Sequence, residues 1–323
     1  MGTHIIPLGT GSAIPTSKRH LSAFALVRDG QILLFDCGEG TQMRLLKAGL
    51  KRSRVQHVFI SHLHGDHFYG LIGLISSLEL MQRREPLYVY GPKGLKGYLE
   101  YMFALSDLRP GYELVVREVD PEGFEHAVLL ETEEYFVEAR PLAHRIFCMG
   151  FRFQEKPRPG KVNAERAREL GITEDWQFKA LKAGKPVSVS EGLLIRPEEV
   201  VGPPRPGVSF AYVTDTRFCP GAIMLAIDAD VLYHEATFDH ALQEKAEQTG
   251  HATALEAAQV AATAGVGLLL LGHFSARYTD VASLVEEART VFPNTRAAEE
   301  LKPIELKARR SAARGPHEGI RRA

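Results

Sequence analysis

The 323-residue chain is 45% hydrophobic and 24% charged, with a formal net charge of −1. That composition excludes a disordered or collagen-like chain and leaves one large single-core domain or two ordinary ones. The near-neutral balance also excludes a generally basic surface, so any nucleic-acid partner has to be held by local patches.

In chain order, 4–8, 23–27 and 31–35 read as strands, and 41–48 as a helix closed by Gly49. A strand is expected at 55–60 and a helix over 68–82. The next strand, 86–90, is expected to stop at Gly91-Pro92, followed by a helix near 93–105. A strand-rich region runs to Gly150. Strand–helix alternation resumes at Ser209 and closes with a strand at 268–271 and a helix near 281–291. This alternation argues for a layered α/β architecture. Residues 155–185 differ in character, with eight Lys/Arg against five Asp/Glu. Their opening prolines and glycine break regular structure, and 163–171 reads as a polar helix with Asn163 as cap and Gly171 as stop. Such a helix has almost no apolar face, so 155–185 is expected to project as an arm, either an inert excursion or a basic nucleic-acid contact.

Residues 307–323 carry six Lys/Arg and one Glu, a basic and disordered tail by expectation. No apolar run approaches the ~18 residues of a spanning helix. The opening Met1-Gly2-Thr3-His4-Ile5 has no basic region leading into an apolar stretch, so no leader is expected. Cys37, Cys148 and Cys219 cannot form a disulfide framework, which points to a reducing, cytoplasmic setting.

The strongest chemical signal is Ser61-His62-Leu63-His64-Gly65-Asp66-His67, between an expected strand and an expected helix. Three imidazoles and a carboxylate packed this closely would each need a partner if buried, and would repel one another if protonated. A loop at a strand end can aim alternate side chains at one point, so His62 and His64 could converge on one metal and Asp66 and His67 on a second. This donor set suits zinc, with iron or manganese as alternatives.

His-x-His-x-Asp-His after a strand resembles the hallmark of the metallo-β-lactamase superfamily. Phe35-Asp36-Cys37-Gly38-Glu39-Gly40-Thr41-Gln42, Leu8-Gly9-Thr10-Gly11, His234-Glu235-Ala236-Thr237 and His251-Ala252-Thr253 resemble the ribonuclease Z branch in particular. The resemblance runs from about Leu8 to about Glu305. It implies a four-layered αββα sandwich over 1–306 with the arm inserted. It implies two Zn2+ per subunit, with His144 completing the first site, Asp215 bridging both and His273 completing the second. It also implies a homodimer whose arms hold precursor tRNA, and cleavage of the 3′ trailer leaving a 3′-hydroxyl on the tRNA. Asp66 then orients the attacking water or accepts its proton. His251 is the best donor to the leaving oxygen, because imidazole titrates near neutral pH. Glu235 would orient His251, and a Thr253–Glu256 capping box would hold it ahead of a rigid helix start.

Asp36 is expected to support the ligands without binding metal. The Gly9–Ser12 turn could offer amides to a phosphate or be a plain hairpin. Trp176 and Phe178 could stack on bases, though both anchoring the arm is the preferred expectation. Cys37 and Cys219 read as small buried hydrophobes. The family's Pro-x-Lys-x-Arg-Asn is replaced by Pro15-Thr16-Ser17-Lys18-Arg19-His20, and the arm lacks its usual Gly-Pro. Two alternatives therefore stay open: a phosphodiesterase of the same superfamily acting on other RNAs or small phosphodiesters, and a non-catalytic RNA-binding protein.

Overall fold

The computed structural model describes residues 2–190 and 193–309. The basic tail expected from 307 lies outside the described residues from 310 onward. Two compact units emerge, one built from 1–154 and 208–307, the other centred on 155–207.

The first unit holds two seven-stranded sheets. In one, the neighbours are Ile304–Glu305, His4–Gly9, Ala23–Arg28, Gln31–Phe35, Val55–Phe59, Leu87–Pro92 and Leu114–Val119. Its early strands pair antiparallel as hairpins and the last three join in parallel. In the other, Thr295–Ala297, Leu268–Gly272, Val231–Glu235 and Ser209–Val213 run parallel, followed by Cys148–Glu155, Tyr135–Leu142 and Ala127–Glu131.

Side-chain alternation along the strands sets the layers. Phe24, Leu26, Leu33 and Phe35 meet Phe151, Phe153, Phe210 and Tyr212 in a buried interior between the sheets. Ala25, Leu34 and Val58 point the other way, against the helices Gly70–Leu80 and Leu95–Ser106. Ala211, Leu232, Leu269 and Leu271 likewise face Pro220–Ala226, Ala254–Ala264 and Ala282–Arg289. Helix, sheet, sheet, helix is the expected αββα sandwich. Among the described residues, no helix is long and apolar enough to cross a membrane.

Two local expectations are corrected. The helix read over 68–82 is interrupted at Tyr69, giving Gly65–Phe68 and then Gly70–Leu80. The Gly70 amide leaves the helical ladder and donates to the Cys37 carbonyl at 2.9 Å. A side chain on Gly70 would run into the Gly38 carbonyl, so the close crossing of these segments requires glycine. Gly91-Pro92 does not stop its strand, for both residues pair with Glu118 and Val119.

The unit 155–207 is longer than the expected 155–185 arm and has a small core of its own. Ala167 and Leu181, from the helices Ala164–Glu169 and Asp175–Lys182, pack with Ile172, Val187, Ile195 and Val200. Val187 and Ile195 come from the hairpin strands Val187–Ser190 and Leu193–Ile195. Asn163 does cap the first helix, accepting from the Arg166 amide at 3.0 Å. Phe178 packs against the small core, whereas Trp176 is 59% exposed, so the two aromatics expected as anchors part company.

Candidate metal centre

The histidines and aspartates expected to bind metal follow strand ends in the first unit, whereas Glu235 closes its strand and His251 lies between the helices Gln243–Thr249 and Ala254–Ala264. Val55–Phe59 leads through His62 and His64 into the helix Gly65–Phe68 that carries Asp66 and His67, Tyr135–Leu142 into His144, Ser209–Val213 into Asp215, and Leu268–Gly272 into His273. Because most of these strands are parallel, their ends open on one edge of the sandwich, where loops are free to carry function.

The side chains form two donor clusters that share Asp215. His62 Nε2 lies 3.1 Å from His64 Nδ1, which lies 3.2 Å from His144 Nε2. Asp215 Oδ2 is 3.5 Å from His62 Nε2 and 3.8 Å from His144 Nε2. On the other side, His67 Nε2 and His273 Nε2 are 3.3 Å apart, with Asp66 Oδ2 at 3.4 and 3.6 Å. The other Asp215 oxygen, Oδ1, is 3.4 Å from His67 Nε2 and 3.1 Å from His273 Nε2. One carboxylate thus turns an oxygen to each cluster. Each group is one that could hold a metal ion.

The outer partners of the imidazoles show that a cation fits. His67 Nδ1 donates to Asp36 Oδ2 at 2.7 Å. His62 Nδ1 donates to Ser61 Oγ at 2.9 Å, and that hydroxyl donates to Asp36 at 2.9 Å. His144 Nδ1 donates to the Gly250 carbonyl at 2.7 Å, and His273 Nδ1 to Thr237 Oγ1 at 3.0 Å. These partners assign the tautomers and leave lone pairs on the facing Nε2 atoms. Two such lone pairs, on His67 and His273 with their Nε2 atoms 3.3 Å apart, repel unless something positive stands between them. Electrostatics agree. Burial opposes a charge on His67, yet Asp215, Asp36 and Asp66 outweigh it and raise its pKa, the same negative surroundings that would draw a cation to this cluster. Burial likewise opposes ionisation of Asp66, but His67 and His273 keep its carboxyl well below the usual range. His62, His64 and His144 are driven towards the neutral, ligating form, chiefly by burial.

Glu235 also lies near Asp215 and His273, but its oxygens are occupied. Oε1 accepts from the Thr216 amide at 2.8 Å and His251 Nδ1 at 2.9 Å. Oε2 accepts from the Thr237 amide at 3.1 Å and its hydroxyl at 2.6 Å. Both Glu235 oxygens are thus engaged, one of them with His251 Nδ1, although Asp215, Glu235, His251 and His273 also form a group that could hold a metal ion. Burial works against a charge on His251, but Glu235 and then Asp215 prevail and push its pKa up to about 9. The Thr253–Glu256 capping box is present, so His251 stands two residues ahead of a fixed helix start. Gly250 lies close before it, in the left-handed region at φ 78°, where a side chain would press on His144 Nδ1.

A cavity of about 380 Å³ opens over both clusters, lined by Ser12, Ala13, Glu39, Tyr69, Arg145 and His251 with members of the two clusters. Arg145 is the one basic lysine or arginine in that lining, and the sequence reading did not single it out. The amides of Thr10 to Ala13 are all engaged within the protein, so the Gly9–Ser12 turn is no phosphate cradle. Arg19 donates to the carbonyls of Ser275 and Tyr278 and so braces a loop. Asp36, Cys37 and Cys219 are buried as expected; burial raises the Cys37 thiol to about 12.

Comparison with known proteins bears on the identity of the site. A family model described as anti-Pycsar protein Apyc1 matches residues 3–102. A ribonuclease Z of Salinibacter ruber is 52% identical over 96% of both chains. One from Haloferax volcanii is 43% identical over 88% of this chain and 89% of its own. The crystal structure of the short form of human tRNase Z superposes with a TM-score of 0.70 at 30% identity, covering 94% of this chain and 99% of that one. A metallo-β-lactamase fold protein from Bacillus subtilis, YhfI, shares the fold at 19% identity and a TM-score of 0.65, covering 94% and 100%. With relatives this similar along nearly the whole chain, and with the αββα sandwich they share, the chain belongs to the ribonuclease Z family.

Proposed function

We propose that the protein is a metal-dependent endoribonuclease that removes the 3′ trailer of precursor tRNA and leaves a 3′-hydroxyl on the tRNA. The observation that carries this reading is Asp215 facing both imidazole clusters with one oxygen each, beneath a cavity that His251 lines. His62, His64 and His144 would hold one cation and Asp66, His67 and His273 a second, with Asp215 shared; zinc suits this donor set. Divalent cations bound there supply Lewis acidity to the phosphate and make a water acidic enough to ionise near neutral pH.

The protein's own groups then have separate tasks. Asp66, on the cavity wall, orients the attacking water and accepts its proton. His251, protonated and held by Glu235, gives its proton to the tRNA 3′ oxygen as the bond from that oxygen to phosphorus breaks. Arg145 offers positive charge to the phosphate on the open side. The 155–207 unit, with Trp176 exposed, serves as the tRNA-holding arm. The resemblance further implies a homodimer in the cytoplasm, which light scattering and fractionation would test.

The deciding experiment is cleavage of a 5′-labelled precursor tRNA carrying a trailer, with and without chelator, beside Asp66→Ala. A single cut at the end of the acceptor stem, lost on chelation and in the variant, is expected. Intact precursor alongside hydrolysis of a small phosphodiester would transfer the reading to another substrate. RNA binding that survives chelation without any cleavage would mark a non-catalytic protein.

A further inference from the structure

We infer that Glu300 is a positioning residue: it clamps the 10–20 loop so that the Ala13 amide fixes the Asp66 carboxylate. The kinetic part of this inference rests on the endoribonuclease reading; the clamp itself does not.

Glu300 lies 290 residues from Thr10 in sequence, yet its side chain, only 10% exposed, grips both ends of that loop. Its Oε1 accepts from the Thr10 amide at 3.0 Å, the Thr10 hydroxyl at 3.3 Å and the His20 amide at 2.7 Å. Its Oε2 accepts from Arg44 Nη2 at 2.6 Å and lies 3.0 Å from His20 Nδ1. Arg44 is itself tied down, donating through Nε to the Leu8 carbonyl at 2.8 Å. A carboxylate this fully engaged and only 10% exposed leaves the groups it holds little freedom.

The loop carries that constraint to the centre. The Gly11 amide donates to the His20 carbonyl at 2.8 Å, closing the loop. The Ser12 amide donates to the Phe274 carbonyl at 3.1 Å, and the Phe274 amide to the Thr10 carbonyl at 2.9 Å, which pins the residue after His273. Between these anchors Ala13 adopts φ 62°, a left-handed conformation costly for a residue with a Cβ and held only where the surroundings over-determine it. There its amide donates to Asp66 Oδ2 at 2.9 Å, the same oxygen that faces His67 and His273. Removing the Glu300 charge frees the loop to relax away from that strained turn, and Asp66 loses the donor that sets its rotation.

The test compares wild type, Glu300→Gln and Glu300→Ala, with the exposed Glu299→Gln as control. Amide hydrogen exchange is read on the metal-free proteins and trailer cleavage on the metal-loaded ones. Both Glu300 variants should exchange the 10–20 amides at least about tenfold faster. The 61–69 segment should keep its protection, and Glu299→Gln should match wild type in everything. In cleavage, Glu300→Gln should lower kcat by roughly 10- to 100-fold with a smaller change in KM, the cost of a misplaced catalytic group. Unchanged exchange in the 10–20 loop would overturn the clamp. Faster exchange with an unchanged kcat would overturn its role in positioning Asp66. Should wild type leave precursor tRNA intact, the endoribonuclease reading alone would fall, and exchange would still decide the clamp.

Discussion

Each sheet of the sandwich buries a carboxylate that orients an imidazole at the candidate metal centre, Asp36 in one and Glu235 in the other, and the two are built alike but face different surroundings. Asp36, past the strand Gln31–Phe35, accepts from the Ser61 amide and hydroxyl, from His67 and from Tyr212. Glu235, closing the strand Val231–Glu235, accepts from the amide of Thr216, the amide and hydroxyl of Thr237, and His251. Both are fully buried. Around Asp36 the imidazole served, His67, turns its other nitrogen into a donor cluster. Around Glu235 the imidazole served, His251, lines the cavity instead. A buried carboxylate with four donors thus orients its imidazole in both places, and on the proposed function what that imidazole faces separates a metal ligand from a proton donor.

The largest effect should come from the residue both halves share. Asp215→Ala removes an oxygen from each cluster, so metal content should fall in both sites and trailer cleavage should be lost; elemental analysis with the labelled-precursor assay checks this. Full metal occupancy in that variant would break the shared-carboxylate account. Next, His251→Ala should keep its metal and lose about two to four orders of magnitude in turnover. Loss of metal there would place His251 among the ligands. The two orienting carboxylates should separate on the same pair of measurements. Asp36→Asn should weaken metal affinity by roughly 10- to 100-fold, whereas Glu235→Gln should lower turnover at full occupancy. Equal metal loss in both would erase the distinction between them.

A buried imidazole away from this centre sharpens the contrast, because burial and a cation, not a carboxylate, set its charge. His57, stacked on Tyr88 at 5.1 Å between ring centres, has its pKa lowered to about 4 by burial and then by Arg117. Its folded pKa therefore lies below the unfolded value near 6.5, and the unfolded chain binds the extra proton between those two values. Its contribution to stability is complete above about pH 6.5 and is lost as pH falls towards 4, on the order of 3 kcal/mol in all. His57→Phe should flatten urea stability over that window, and an unchanged pH slope would contradict the assignment. Smallest is Thr253→Ala, expected to cost about 1 kcal/mol of stability through loss of the cap.

What the sequence reveals follows from how far apart the interacting residues lie. His62 to His67 are adjacent in the chain, and the Thr253–Glu256 box spans a single helical turn, so both are legible from spacing. His144, Asp215 and His273 each come singly from a strand end, and only the family resemblance links them to the motif. Glu300 was invisible because its partners, Thr10, His20 and Arg44, belong to the opposite end of the chain. The extent of the 155–207 unit is not legible because its core is completed by Val187, Ile195 and Val200, members of short apolar runs beyond the polar helix that come together only in the folded unit. The Gly91-Pro92 pair misled as a stop signal because pairing to Glu118 and Val119 overrides local turn preference.

The most direct test of the account is the chemistry of the ends made from precursor tRNA by metal-reconstituted protein. Attack by water with departure of the 3′ oxygen predicts a tRNA fragment whose 3′-hydroxyl is extended by poly(A) polymerase and a trailer carrying a 5′-phosphate. A tRNA fragment ending in a 2′,3′-cyclic phosphate, or cleavage indifferent to chelation, would contradict it.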